Sequence, residues 1–279
     1  MKAFTSKSGK IAFNYIKEID ETYRFHLTRL SNALNEEDIH YLRRASKRLK
    51  ALFKLFGNID SGFNAKKRFN YAAKISDPAG KLRELQVNQN VLMGYNVSPN
   101  LIKKYSNYLV EDKTLAEKVL KKAIKKFDNK AHKKSLRKIE KICRKLSSED
   151  IKVSISAFLN TMSFRIKEYV EQNQTEANYH TIRILLKTIS PSIVLSDVIE
   201  KNENVKKLYG RFKSAEDKLG AWHDKVMLQK SLQQFFPNNG SHTTEELEAE
   251  MVIKEIETDK SILLDEAQKQ VKTLIEDAV

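Results

Sequence analysis

Two stretches of this chain carry histidine, arginine and lysine at one helical spacing: His40, Arg43 and Lys47 in the first, His180, Arg183 and Lys187 in the second. Residues three and four apart share a helix face, so each His-x-x-Arg-x-x-x-Lys skeleton lines up its basic groups. On a wheel of about 100° per residue, Arg43, Lys47, Lys50 and Lys54 fall on the side of His40, and Arg44 and Arg48 flank them. Leu42, Ala45, Leu49, Leu52, Phe53 and Phe56 point the other way. In the second stretch Arg183 and Lys187 lie close to His180, while Ile182, Leu185, Leu186 and Ile189 point away. The chemistry on offer is anion binding. Arg presents a planar fork to phosphate oxygens and Lys a mobile point charge, while His adds a donor that strengthens on protonation. At helical rise the charges recur about every 5 to 6 Å along one line, a spacing that suits a polymer of phosphates. An exposed Lys/Arg face is ordinarily solvated surface. Here the strip carries no acid from Tyr41 to Asn58, contains a histidine, His40, and recurs, which points to a binding surface.

The recurrence runs beyond the skeleton. Lys67, Asp77 and Gly80 match Lys207, Asp217 and Gly220 at the offset that relates His40 to His180, and Glu84 falls on Asp224. Six identities at one offset, half the chain length, indicate duplication. Conventional catalytic parts are missing. No two of the histidines at 26, 40, 132, 180, 223 and 242 are three or four apart, so no helix offers a preformed pair of metal ligands. No Gly-rich phosphate cradle occurs. The single cysteine, Cys143, excludes an internal disulfide and the multi-cysteine zinc clusters. His223 and Asp224, adjacent on a helix, diverge by about 100° and do not form a dyad; they read as an anion-facing base beside an acid, like Arg83 and Glu84 one repeat earlier.

These residues need helices to position them. With 8 Gly, 4 Pro and 31% charged residues, the chain reads as all-α. Helices are expected from Ile11 to Leu34, Glu37 to Phe56 and Ser61 to Ile75. A new one should open with Asp77 as cap and Pro78 as first residue and run to Met93. Residues 100–146 read as a Lys-rich hairpin or three short helices, with Leu115, Val119, Ile124 and Phe127 as one apolar stripe and Leu136, Ile139, Ile142 and Leu146 as the other. Ser147 or Ser148 should cap a long helix to about Gln172, followed by the second His helix from Glu176 and helical segments to Phe236. Trp222, Leu219, Val226, Leu232 and Phe236 read as core. The segment 236–241 is a linker, and T-T-E-E then caps a final helix. The domain reading is 1–146 as a first repeat and 147–279 as a second, together one domain.

Charge is unevenly distributed. Residues 241–279 hold eleven acids and four lysines, net −7, so the remainder carries +22 of a total of +15. Such an excess implies a polyanionic partner. No apolar run approaches the roughly 18 residues that span a bilayer, and the N-terminal residues lack a signal-peptide core, so a cytoplasmic location is expected.

The pattern I-H-x-L-R-x-x-x-K-R-L-K-x-L-x-x-x-F at 39–56, then G-K-L-R-E-L-Q-V at 80–87 and L-G-A-W-H-D-K-V-M-L at 219–228, resembles the conserved-histidine α-helical domain, CHAD. The resemblance covers essentially the whole chain. It implies two helical bundles related by a pseudo-twofold axis, with a basic central groove or cavity that binds inorganic polyphosphate. Its basic positions correspond to His40, Arg43, Lys47, Arg48 and Lys50, and to His180, Arg183 and Lys187; its later pair corresponds to Arg83-Glu84 and His223-Asp224. Ser190 and Pro191 stand where further basic and aromatic residues are usual, so the second strip should be shorter and its helix should bend or end at Pro191. CHAD modules can be fused to CYTH-type triphosphate tunnel domains, whose mark is a strand with E-x-E-x-K. The nearest string, Glu255 to Lys260, has one residue too many and a helical context.

The function expected from the sequence is non-catalytic polyphosphate binding, with targeting to polyphosphate granules as its purpose and no cofactor or metal. The binding set is His40, Arg43, Arg44, Lys47, Arg48, Lys50, Lys54, Arg83, His180, Arg183, Lys187 and His223. The alternative is sequence-independent nucleic-acid binding through residues 100–146, which hold 16 Lys and Arg but few aromatic residues for stacking. The acidic C-terminal region could complete the second bundle, serve a protein partner or fold onto the basic cleft as a mild autoinhibitor.

Overall fold

A computed structural model describes residues 3–172, 175–236 and 243–276, and every regular element among them is an α-helix. In chain order these are α1 (Lys7–Asn32), α2 (Glu36–Ile59), α3 (Ala65–Leu92), α4 (Pro99–Tyr108), α5 (Val110–Lys125), α6 (Asn129–Cys143), α7 (Ser148–Glu171), α8 (Glu176–Glu200), α9 (Glu203–Phe235) and α10 (Thr244–Glu276). Side-chain caps explain most starts. Ser6, Asn35, Asn64, Ser98, Asp128 and Thr175 each accept a bond from the backbone N–H three residues on. Ser147 forms a reciprocal capping box with Asp150, and Thr243 does the same with Glu246. α8 stops at Lys201, whose φ of 51° places a non-glycine residue in the left-handed region.

The helices bury three apolar clusters. The largest joins α1, α2, α3, α5 and α6 with Ile151, Ile155 and Phe158 of α7. A second is built from α8, α9 and the end of α10 around Trp222. The third draws Leu85 and Leu92 of α3 and Tyr105 of α4 together with Leu228 and Leu232 of α9 and Val252 and Ile256 of α10. Packing therefore crosses position 146 in two of the three clusters. α2 lies against α8 and α3 against α9, so the two His helices and the two helices that follow them face each other across the middle of the molecule.

Lys7, Glu36 and Ala65 open the first three helices, and Ser148, Glu176 and Glu203 open α7, α8 and α9 at close to the offset of the sequence motif. The parallel ends there: α4, α5 and α6 follow α3, whereas one long α10 follows α9. Residues 237–242, most of the expected linker, lie outside the described residues.

Local expectations fail at three points. Pro78 and Pro191 lie inside α3 and α8, neither starting nor ending them. An internal proline costs roughly 3 kcal/mol through the lost hydrogen bond and the ring clash. Ile75, Ala79 and Leu82 are buried around the first proline and Ile189 and Ile193 around the second. Each large aliphatic side chain contributes about 1.5–3 kcal/mol on burial, enough to offset that cost. On α5, Leu115 and Val119 are exposed, and the stripe that meets the core is Ala116, Leu120 and Ile124. α10 does not enter the cleft. Its acids are held elsewhere: Glu245 pairs with Lys104 at 2.8 Å, Glu248 accepts from the Ser98 hydroxyl at 2.7 Å, and Asp259 and Glu266 pair with Lys225 and Lys218.

Candidate functional site

The start of α2 is fixed by a buried carboxylate. Asp38 accepts from Arg29 Nε at 2.9 Å and from the Asn35 amide, and pairs with His26 Nδ1 at 2.7 Å. Burial alone would raise its pKa, but these donors hold it at about 2. The α2–α3 seam that follows is lined with small residues. Ser46 bonds Ser76, whose hydroxyl also donates to the Ala72 carbonyl at 2.8 Å, and Ala45, Ala72 and Ala79 are buried beside them. This closeness lets Arg43 lie flat on α3. Its Nη1 donates to the Ser76 carbonyl at 3.2 Å, and a Cβ on Gly80 would lie 2.5 Å from that nitrogen.

From this seam a groove of about 250 Å³ opens between α2, α3, α8 and α9. α2 lines it with His40, Arg43, Arg44 and Lys47; α3 adds Gly80, Arg83, Glu84, Val87 and Asn88. Across from them stand Arg183 and Lys187 of α8 and His223, Asp224 and Met227 of α9. Two basic patches remote in sequence thus meet, with two carboxylates among them, and Glu84 is drawn toward Lys81 at 3.2 Å.

The electrostatics record this crowding. Lys47 is reached by solvent through the mouth of the groove but has lost much of its bulk hydration. Burial first, then Lys187, Arg43 and Arg183, push its ammonium down to about 7. Burial and Arg183 bring Lys187 to about 8, against the pull of Glu216 and Asp224. Burial and then Arg183, His180 and Lys187 carry His223 down to about 3. His40 is lowered by burial and by Arg83, Arg44, Lys47 and Arg43. Asp224 is raised by burial although Arg183, Lys187, Lys47 and Arg83 oppose it. The Arg183 Nε is buried without a hydrogen-bond partner. A groove of this kind holds unsatisfied positive charge, which an entering anion would relieve.

Eight of the twelve residues expected from the sequence line the groove: His40, Arg43, Arg44, Lys47, Arg83, Arg183, Lys187 and His223. His180 stands beside it, exposed, with its ring 5.0 Å from that of His223. Arg48 is turned away, donating to the Tyr15 hydroxyl at 2.9 Å and lying over its ring at 5.6 Å. Lys50 and Lys54 lie past the groove on the side of α7, where burial, Lys50 and Arg165 lower the Lys54 pKa. The wheel treats α2 as an isolated cylinder, whereas α1, α7 and α8 pack against it and divide its basic strip. Val87, Asn88 and Met227 were not singled out in the sequence. The repeat carries the signal for two of them, because Val87 and Met227 each lie one turn beyond the Arg83-Glu84 and His223-Asp224 pairs, at matching positions of the two halves.

Other reactive groups lie elsewhere. Cys143 is buried, its thiol pushed up to about 12 by that burial. No group of three metal-binding side chains occurs among the described residues. No described helix is long and apolar enough to cross a membrane.

A sequence model of the CHAD domain matches residues 21–233, a span that holds both basic skeletons and every groove residue. The chain belongs to the CHAD domain family. The whole all-helical CHAD fold is recognisable in solved structures. The CHAD domain from the plant Ricinus communis superposes with a TM-score of 0.68 at 11% identity, covering 99% of this chain and 93% of that one. PptA from Streptomyces chartreusis superposes with a TM-score of 0.60 at 14% identity, covering 95% and 98%. At these identities the likeness is one of fold. No curated protein matches the sequence. In CHAD terms, α2 and α8 are the two His helices, and the basic groove lies where they face each other.

Proposed function

We propose that this CHAD protein binds inorganic polyphosphate in the groove between α2, α3, α8 and α9, without catalysis, and that this binding carries it to polyphosphate granules. The observation behind the reading is the convergence of Arg43 and Lys47 with Arg183 and Lys187, joined by Arg83, in one crowded space. The depressed pKa values of these lysines mean that the free groove is short of counter-charge. A flexible chain of phosphates supplies that charge at every turn and requires no base recognition.

Nucleic acid fits less well. Stacking on bases calls for available aromatic faces, and those of the Lys-rich region are mostly committed to packing. Tyr105 is fully buried, Phe127 packs against the core, and Tyr108, the one exposed ring among the three, is stacked on Phe235 at 4.6 Å. Titration calorimetry with long-chain polyphosphate, single-stranded RNA and duplex DNA at matched charge tests the choice. Polyphosphate should bind most tightly, and Arg43→Glu with Lys47→Glu should abolish most of that affinity. Unchanged affinity in the double variant, or a preference for either nucleic acid, would sink the reading.

A further inference from the structure

Outside the groove, one strongly charged surface is the outer face of α6. Lys130, Lys133, Lys134, Arg137 and Lys141 all project from one side of this helix, away from the core. With Arg68 from the start of α3 they surround a shallow depression of about 710 Å³. The opposite side of α6 is core: His132, Ser135, Ile139, Ile142 and Cys143 are buried. Two buried polar contacts set the helix in place. The Ser135 hydroxyl donates to the Arg68 carbonyl at 2.9 Å, and His132 Nε2 pairs with Asp20 at 2.8 Å. Two acids stand close by, Asp60 and Glu140, and they are taken by Lys138 at 2.7 Å and by Arg144 at 2.6 Å. A rigid helix thus presents like charges at successive turns with little internal neutralisation, and their mutual repulsion works against the fold.

We propose that this face is a second docking surface for the phosphate polymer, separate from the groove and engaged only by chains long enough to reach both. Arg68 and Arg83 both lie on α3, Arg68 near its start and Arg83 about four turns on. At helical rise this separates the two sites by roughly 22 Å. A short oligophosphate held in the groove cannot span that distance. A long chain anchored in the groove meets the α6 face at high effective concentration, so a surface too weak to hold phosphate alone still adds affinity. The protein is thereby made selective for chain length by geometry. The depression is wide, shallow and lined by mobile Lys side chains, which suits a flexible anionic chain more than a ligand with a fixed shape. This assignment rests on polyphosphate as the ligand of the groove.

The test compares three full-length proteins: wild type, a groove variant (Arg43→Glu, Lys47→Glu) and a face variant (Lys133→Gln, Lys134→Gln, Arg137→Gln). The face substitutions avoid the buried side of α6 and should leave the thermal midpoint close to that of wild type. The probes are tripolyphosphate and long-chain polyphosphate, titrated at several salt concentrations. The face variant is expected to bind tripolyphosphate like wild type and long-chain polyphosphate at least tenfold more weakly. Its dependence on salt should also be shallower, by about 0.9 in log–log slope for each phosphate no longer neutralised, if the polymer behaves like duplex DNA. Unchanged long-chain affinity and slope would overturn the second surface. So would a face variant that loses affinity for duplex DNA while keeping its affinity for polyphosphate, since the face would then serve nucleic acid. A groove variant that still binds tripolyphosphate would refute the groove itself, an outcome distinguishable from failure of the α6 face.

Discussion

Raising the pH from 7 to 9 at constant ionic strength should weaken polyphosphate binding by about one to two orders of magnitude, because the free groove holds lysines that are already losing their protons. Lys47 titrates at about 7 and Lys187 at about 8 in the protein alone, against an ordinary value of 10.5. A polyanion laid between them returns both toward the ordinary value, since an opposite charge favours the protonated form. Binding at pH 7 therefore takes up about half a proton at Lys47 and about a tenth at Lys187. Burial and the neighbouring cations also lower His40 and His180, and a polyanion would shift both back in the same direction as the lysines. Were both lysines restored fully, linkage would give a ceiling of about 500-fold between pH 7 and 9; solvent reaching Lys47 through the mouth of the groove reduces this to the range stated. Affinity should fall as pH rises from about 7 toward 10.5, the interval between the free and ordinary values. Folding responds with the opposite sign. A lysine whose folded pKa is depressed gives up its proton on folding, so the ligand-free protein gains stability as pH rises through the same interval. Calorimetry in buffers of different ionisation enthalpy counts the protons, and thermal melts follow the unliganded fold. Lys47→Arg stays charged throughout and should flatten the pH dependence, whereas Lys47→Met should melt higher and bind more weakly. Binding that neither takes up protons at pH 7 nor weakens by pH 9 would refute the account of a charge-starved groove.

The two repeat-related glycines should behave differently in titration and melting. Gly80→Ala forces Arg43 off α3 and should cut polyphosphate affinity severalfold, whereas Gly220 has open space around it. Gly220→Ala should raise stability by about 0.5–1 kcal/mol and leave affinity unchanged. Arg48→Ala removes a hydrogen bond and a cation–π interaction with Tyr15. It should cost about 1 kcal/mol in denaturant unfolding with little effect on tripolyphosphate affinity. A tripolyphosphate affinity that collapses in this variant would return Arg48 to the site. Lys201→Gly relieves a left-handed residue at the end of α8 and should stabilise the protein by roughly 1 kcal/mol in the same assay.

Much of the helical framework can be read from local patterns. The Ser147 cap, the start of α8 at Glu176 and the buried face of α2 follow from side chains within a few residues of one another. The prolines mislead for the same reason. Asp77-Pro78 has the chemistry of a helix start, and only the burial of residues on both sides keeps α3 continuous. On α5 the large residues Leu115 and Val119 suggested the core face, but the surface of α3 accepts the smaller Ala116 with Leu120 and Ile124, and the fit against a neighbour cannot be read from one helix. Arg48, Lys50 and Lys54 share a strip with Lys47 on the wheel and are parted from it once α1 draws Arg48 onto Tyr15 and α7 and α8 pack against different stretches of α2.

By itself the sequence determined that the chain is helical, that His40, Arg43 and Lys47 share a face, that His180, Arg183 and Lys187 share another, and that both faces lie opposite core. Helical periodicity is a local property, set by backbone geometry within a few turns. Tertiary structure decided that these faces meet, that Gly80 gives Arg43 a surface to lie on, that Lys47 and Lys187 approach closely enough to weaken each other's hold on a proton, and that α10 spends its acids on α4 and α9 outside the groove. Electrostatic crowding depends on distance through space, and side chains half a chain apart acquire such a distance only when the helices that carry them are packed.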